Sequence, residues 1–483
     1  MPRLDRQRRR ILAIYAILSA AALILFNVFH RVLEEVEIVP VNAWFIAPFV
    51  VLLISIGVMP FVNRRWWEKN YPLVSYALGF VVVLYYSFSL HNVPRLLLTS
   101  YEYISFISLI GSLFVVAGGI HVRMRGKSTP AGNLALLATG AVLANILGTT
   151  GASMVLIRPY LRMNKYRIKP YHVVFFIFVV SNIGGALTPI GDPPLFLGYL
   201  KGVPFFWIIT RVSHIWALTV GLVLLVFFVI DRSAFDRESA AVRHAAQEVD
   251  EPEVSGLHNV VYLIVVLGAV FIKDPAPRML REVIMWGAAL ASYFTTKREI
   301  HEKNEFNFLP IREVAILFAG IFATMIPALD WLERNATAIG IVTPGQYFWG
   351  SGLLSSVLDN APTYLNFLSA AFGLHGASLD NVHHMQAMLG TATPDALGLA
   401  NPLREGARLI TADSWRYVQA ISLGAVFFGA NTYIGNGPNF MVKSIAEQAR
   451  VECPSFFGYI LRYSLPVLIP IYALVWWLFF TAS

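Results

Sequence analysis

Apolar runs close to the width of a bilayer's hydrocarbon core recur along the whole chain, at residues 11–29, 43–61, 73–90, 207–230 and 465–480. A spanning helix needs roughly 20 such residues. In lipid every backbone N–H and C=O must be satisfied inside the protein, so only helices and closed barrels span. The length of the runs selects helices. Charge agrees, since only 14% of the 483 residues are Asp, Glu, Lys or Arg, against about 25% in soluble domains. The prediction is an all-α polytopic membrane protein. No soluble segment is large enough to carry catalytic chemistry, so an enzyme is not expected. The single cysteine, Cys453, allows no intrachain disulfide.

Basic residues set the expected orientation. They cluster at Arg3, Arg6, Arg8, Arg9 and Arg10, at Arg64, Arg65 and Lys69, at Arg123, Arg125 and Lys127, at Arg158, Arg162, Lys165, Arg167 and Lys169, and at Lys297, Arg298 and Lys303. The loop with Glu34, Glu35 and Glu37 is acidic. Placing the clusters inside predicts a cytoplasmic N-terminus, a retained first helix and an external C-terminus. The net charge of +8 therefore reports orientation, and no nucleic-acid partner is expected. Glu102, Arg211, Arg312, Glu313 and Asp330 fall near predicted span ends, where snorkelling or interfacial solvation is expected. His375, His383 and His384 lack a Cys or carboxylate set at ligand spacing, so no transition-metal site is expected.

Two apolar segments are interrupted by residues that lipid-facing helices avoid. One carries Asn182, Gly184, Gly185, Thr188, Pro189, Gly191, Asp192 and Pro193. The other carries Asn431, Thr432, Gly435, Asn436, Gly437, Pro438 and Asn439. Irregular backbone at membrane depth survives only where protein buries it or it lines a cavity. By the charge rule a further segment begins and ends on one side of the membrane, which predicts a re-entrant hairpin at 132–162, and residues 346–372 repeat its pattern with both flanks external. Their polar tips are Gly148-Thr149-Thr150 and Asp359-Asn360-Ala361.

The halves superpose. Ile190-Gly191-Asp192-Pro193-Pro194 lies over Ile434-Gly435-Asn436-Gly437-Pro438, and Leu147-Gly148-Thr149 over Leu358-Asp359-Asn360. The expected plan is about 11 transmembrane segments plus the two hairpins, in repeats of opposite topology, the design of secondary transporters. An N-terminal segment and first helix (1–42) precede a first repeat (43–230). A cytoplasmic linker (231–255) leads to a second repeat (256–483) with an external loop at 373–414.

An intramembrane carboxylate is by default a functional residue, and the broken segments hold two, Asp359 and Asp192. Asp359 is the leading candidate for an exchanged proton or cation. Asp192 is second, because beside Pro193 it reads equally as a ligand or as a helix cap. Thr149, Thr150, Asn182, Asn360, Thr363, Asn431, Thr432 and Asn436 supply neutral oxygens suited to a hard cation such as sodium. Gly184, Gly185, Pro189, Gly191, Gly435, Gly437 and Pro438 are expected to break the backbone.

These motifs resemble the ion-transporter superfamily, in particular its sodium/proton antiporter branch and the neighbouring citrate-transporter-like group. The resemblance rests on Ser181-Asn182-Ile183-Gly184-Gly185, Thr188-Pro189-Ile190-Gly191-Asp192 and Ser356-Val357-Leu358-Asp359-Asn360-Ala361-Pro362-Thr363. It implies a scaffold part and a transport part in each protomer of a homodimer, with elevator-like movement of the transport part. In the family's dicarboxylate carriers both hairpin tips carry Ser-Asn-Thr, which holds sodium and the substrate carboxylates. This chain has lost those hydroxyls and gained an acid. The expectation is a sodium/proton antiporter of a bacterial-type inner membrane, carrying Na⁺ and H⁺ as a small inorganic ion substrate and needing no cofactor. The rivals are a sodium- or proton-coupled citrate or carboxylate carrier and an arsenite-type oxyanion efflux carrier. A non-transporting scaffold has no need of paired broken helices.

Overall fold

A computed structural model describes residues 2–28, 38–123, 127–246, 253–272, 276–399 and 401–481. The acidic loop at 33–37, Arg125 and the middle of the predicted linker lie outside these residues. The chain is helical almost throughout. Nine helices among the described residues are long and apolar enough to cross a membrane.

In chain order the principal helices are α1 (Pro2–Val28), α2 (Ala47–Val62), α3 (Arg64–Leu84), α4 (Val93–Gly118), α5 (Pro130–Met163), α6 (Pro170–Val179), α7 (Pro193–Leu200) and α8 (Phe205–Asp236). The second half follows with α9 (Asn259–Val270), α10 (Leu280–Thr295), α11 (Leu309–Asn335), α12 (Pro344–Ser355), α13 (Asn360–Leu374), α14 (Trp415–Phe428), α15 (Gly437–Gln448) and α16 (Phe456–Phe479). A short antiparallel pair, β1 (His121–Arg123) with β2 (Glu253–Ser255), closes one end.

The helices pack as two groups. α2, α3 and α4 pack among α9, α10 and α11, and α1 leans on this group through Tyr15, whose hydroxyl donates to Val283 O. The second group joins α5–α8 to α12–α16, and its halves interlock: α15 packs on α5 and α6, and α13 on α7. The groups meet where α4 touches α5 and α11 touches α13. Large apolar side chains stand exposed on the outer helices, among them Leu18, Leu73, Leu225 and Ile264, a surface suited to lipid and not to water. By contrast α6, α13 and α14 are almost wholly buried. The irregular backbone joined to them is thus shielded from lipid, as a bilayer requires.

Both hairpins and both broken helices are present. α5 turns at Gly148, whose φ of 72° and ψ of 156° fall in a region open essentially to glycine alone. The second hairpin is α12–α13, turning at residues 356–359. Between α6 and α7 the chain runs through a short 3₁₀ turn, Ile183–Leu187, and between α14 and α15 through another, Gly429–Asn431. Gly437 and Pro438 do not lie in the break but open α15, where proline's missing N–H costs nothing.

Two expectations are corrected. The linker starts later than residue 231, because α8 continues to Asp236 and Asp231 is fully buried. It takes a bidentate pair from Arg167 (2.6 and 2.8 Å) and a bond from Tyr171 Oη (2.7 Å). Glu102 and Asp330 are not solvated at span ends. Both are buried, Asp330 against Arg95 (2.7 Å) and Glu102 against Lys201 (2.6 Å).

Candidate functional site

The repeats are related by a shared set of hydrogen bonds. In the first half Thr188 Oγ1 donates to Asn145 O (2.7 Å) and accepts from Gly191 N (3.0 Å). In the second, Thr432 Oγ1 donates to Ser356 O (2.5 Å) and accepts from Gly435 N (3.1 Å). Asn145 Nδ2 donates to Gly184 O (2.7 Å), and Ser356 Oγ to Phe428 O (3.3 Å). Leu187 N reaches Asn145 Oδ1 (2.9 Å), and Asn431 Nδ2 reaches Ser356 Oγ (2.9 Å). Each hairpin is thus stapled to its own broken helix at equivalent positions. These bonds keep the unwound carbonyls and amides satisfied, which a buried backbone needs.

The stapling brings the four tips together on Asp192. Its carboxylate is fully buried. Thr149 Oγ1 donates to Oδ1 (2.8 Å), Asn436 Nδ2 to Oδ1 (3.0 Å) and Asn360 Nδ2 to Oδ2 (2.5 Å). Thr149 and Asn360 are equivalent hairpin positions, and Asp192 and Asn436 equivalent break positions. Four helix N-termini therefore converge: α7 and α15, which begin directly after Asp192 and Asn436, α13 at Asn360, and the second arm of α5 at Thr149. Each N-terminus carries roughly half a positive charge, so their common focus suits an anion. The protein places its own carboxylate there.

Close approach of the tips requires glycine at two equivalent positions. A Cβ on Gly185 would stand 2.5 Å from Thr149 Cγ2 and 2.9 Å from Gly191 O. One on Gly429 would stand 3.1 Å from Asn182 Oδ1 and 3.3 Å from Gly435 O.

Asp192 makes no capping bond with its side chain, whereas Asp359 does, accepting from Ala361 N (3.0 Å). Asp359 caps α13 from a half-buried position, and Asp192, which the sequence left open between ligand and cap, lies between the four tips. Thr363 Oγ1 is turned back to Asp359 O (2.9 Å), and Thr432 Oγ1 is used by its staple. Thr150 lines a cavity of about 30 Å³ beside Asp192, shared with Leu113, Ile190 and Phe196. Asn182, Asn360 and Asn431 each keep a buried side-chain oxygen with no donor, and such acceptors suit a cation.

Three residues at the site are absent from the candidate ligands read from the sequence. Asn145 and Ser356 were findable, since the offset that pairs Gly148 with Asp359 also pairs them. Asn439, fully buried and bonded to Asn182, stands in the second interrupted segment, a signal that gave it no role.

A family model described as "Putative citrate transport" matches residues 39–480. The chain belongs to that family. Membership covers both hairpins and both broken helices, and it makes the protein a multi-pass member of a transporter family. A comparison with curated proteins returns no match.

Proposed function

We propose that the protein is a secondary active antiporter that exchanges sodium or lithium for protons by alternating access, with Asp192 as the shared site. The observation that carries this reading is a fully buried carboxylate at the meeting point of both repeats, bonded only by neutral donors. An ionised carboxylate offers about four lone-pair sites. Two bonds fall on Oδ1 and one on Oδ2, so Oδ2 retains a place for one proton or one cation. A bare carboxylate is costly in a low-dielectric interior. The loaded group of helices therefore crosses only when Asp192 is neutralised, by a proton on one stroke and a cation on the other. That requirement makes the exchange obligatory. Neutral oxygens from Thr149, Thr150, Asn182, Asn360 and Asn431 complete the cation's surroundings. The basic clusters support a cytoplasmic N-terminus in a bacterial-type inner membrane.

The family description favours a second reading, a sodium- or proton-coupled carrier of citrate or another carboxylate. An anionic substrate would have to take its place among the four N-termini against Asp192, and that competition is the argument for the first reading.

Everted vesicles holding a pH gradient separate the two. Addition of NaCl is expected to collapse the gradient, and Asp192→Asn to abolish the collapse while the variant still folds. Citrate uptake without any sodium/proton exchange would overturn antiport in favour of the carboxylate carrier.

A further inference from the structure

Asn439 lies on α15, outside the tips that touch Asp192, and is fully buried. Its amide nitrogen donates to Gly429 O and Thr432 O, both at 2.8 Å. Carbonyls only accept, so both amide protons are committed and the orientation of this amide is fixed by its partners. Its Oδ1 must therefore be the atom facing Asn182, and it accepts from Asn182 Nδ2 at 2.7 Å. The second proton of Asn182 goes to Ile177 O at 2.8 Å, again a group that only accepts. Both donors of Asn182 are thus used, neither of them on Asp192. What remains is Asn182 Oδ1, buried and without a donor; it lies 3.1 Å from the point a Cβ on Gly429 would occupy, a point itself 3.6 Å from Asn360 Nδ2, the group that donates to Asp192. An unsatisfied buried acceptor is destabilising, and a bound cation would satisfy this one.

We propose that Asn439 is a positioning residue for cation binding. Through a chain of committed protons it turns Asn182 so that an oxygen, and not an N–H₂ group, faces the site. The link runs from the second broken helix to the first, so the second repeat sets the coordination offered by the first. Held by Ile177 O alone, the Asn182 amide is free to rotate and offer its donor, which repels a cation. The proposal rests on the cation reading above. Partners that orient metal ligands in this way typically affect affinity by about 10–100-fold when removed.

The test uses purified full-length protein and reads ²²Na⁺ binding together with the apparent KM for sodium and the pH profile of exchange in proteoliposomes. Asn439→Leu is expected to weaken sodium binding by about tenfold or more. The maximal rate and the pH profile should stay near those of the parent, since Asp192 and its three donors are untouched. Asn182→Leu should weaken binding to a similar degree. In the double variant, Asn439→Leu should add nothing further, because its effect passes through Asn182. Effects on sodium affinity that add in the double variant overturn the proposal, as does an Asn439→Leu protein that loses thermal stability with unchanged sodium affinity. If Asn439→Leu fails to fold, Asn182→Leu and Asn182→Ala stand in: unchanged sodium affinity in both overturns the proposal. A parent protein that binds no sodium sinks the cation reading itself and this proposal with it, whereas sodium binding indifferent to both asparagines sinks the proposal alone.

Discussion

Asp192 and Asp359 are the same side chain at the start of two helices, and their surroundings give them different work. Asp359 meets a free backbone N–H at the first turn of α13 and accepts it, as an N-cap does. Asp192 has Pro193 and Pro194 as its next two residues, and proline carries no N–H to donate. Pro194 therefore removes one of the two amides, those of the second and third helical residues, that a capping carboxylate would take, and the Asp192 oxygens accept from Thr149, Asn360 and Asn436 instead. The sequence contained this distinction in the two prolines, although a helix-starting Asp-Pro reads first as a cap. Asparagine caps as well as aspartate does. Asp359→Asn is therefore expected to keep sodium/proton exchange and a melting temperature close to the parent's, while Asp359→Ala should lose about 1 kcal/mol of stability. Loss of exchange in Asp359→Asn, measured in the same vesicles as Asp192→Asn, would return the leading role to Asp359.

At the scale of elements, the hairpins and breaks were legible because Gly, Pro, Asn and Thr clustered inside an apolar run interrupt a helix that lipid would otherwise require to be continuous. The two offsets that align the halves also hold through every staple. The destinations of isolated charges were not legible. Arg95 reaches Asp330 across 235 positions and Asp380 across 285, and no local pattern reports a partner so distant. The hairpin turns also differ in a way the alignment conceals. Gly148 and Asp359 are equivalent in position, but Gly148 has φ 72° and Asp359 φ −57°. The first turn depends on a missing Cβ and the second on a capping side chain. Gly148→Ala forces an alanine into a glycine-only region at a cost of about 1–3 kcal/mol, with its Cβ 3.3 Å from Ile190 O. The variant should melt at a lower temperature in detergent. Relief of the strain should also draw Thr149 away from Asp192, raising the apparent KM for sodium. A variant with parental stability and KM would show that the turn carries no strain.

Across the whole molecule, the two helix groups are joined at one end by a buried ion network. Arg95 and Glu102 come from α4, Asp330 from α11, and Tyr86 follows α3, all in the first group. Lys201 follows α7 and Asp380 follows α13, both in the second. Asp380 bridges Arg95 (2.7 Å) and Lys201 (2.6 Å), Lys201 also holds Glu102, and Tyr86 Oη donates to Asp330 (2.7 Å). Burial alone would raise the Asp380 carboxyl, but the Lys201 and Arg95 charges outweigh it and hold its pKa well below the usual carboxylate range. A carboxyl depressed in the folded state contributes stability that is fully present above its unfolded pKa, about 4, and is lost as pH falls through the folded value. The contribution of Asp380 itself should therefore be undiminished down to about pH 4. Lys201→Met leaves Glu102 without its cation and takes from Asp380 the larger of its two favourable charges. Breaking a buried pair in this way costs about 3–5 kcal/mol. Because the Asp380 carboxyl then titrates at higher pH, the acid limb of the melting-temperature profile should shift to higher pH as well as the whole curve falling. Scanning fluorimetry of parent and variant in detergent, from acidic to neutral pH, reads both effects. A uniform fall with no shift of the acid limb would mean that Asp380 does not draw its low proton affinity from Lys201, and that Arg95 alone holds it at the junction of the two groups.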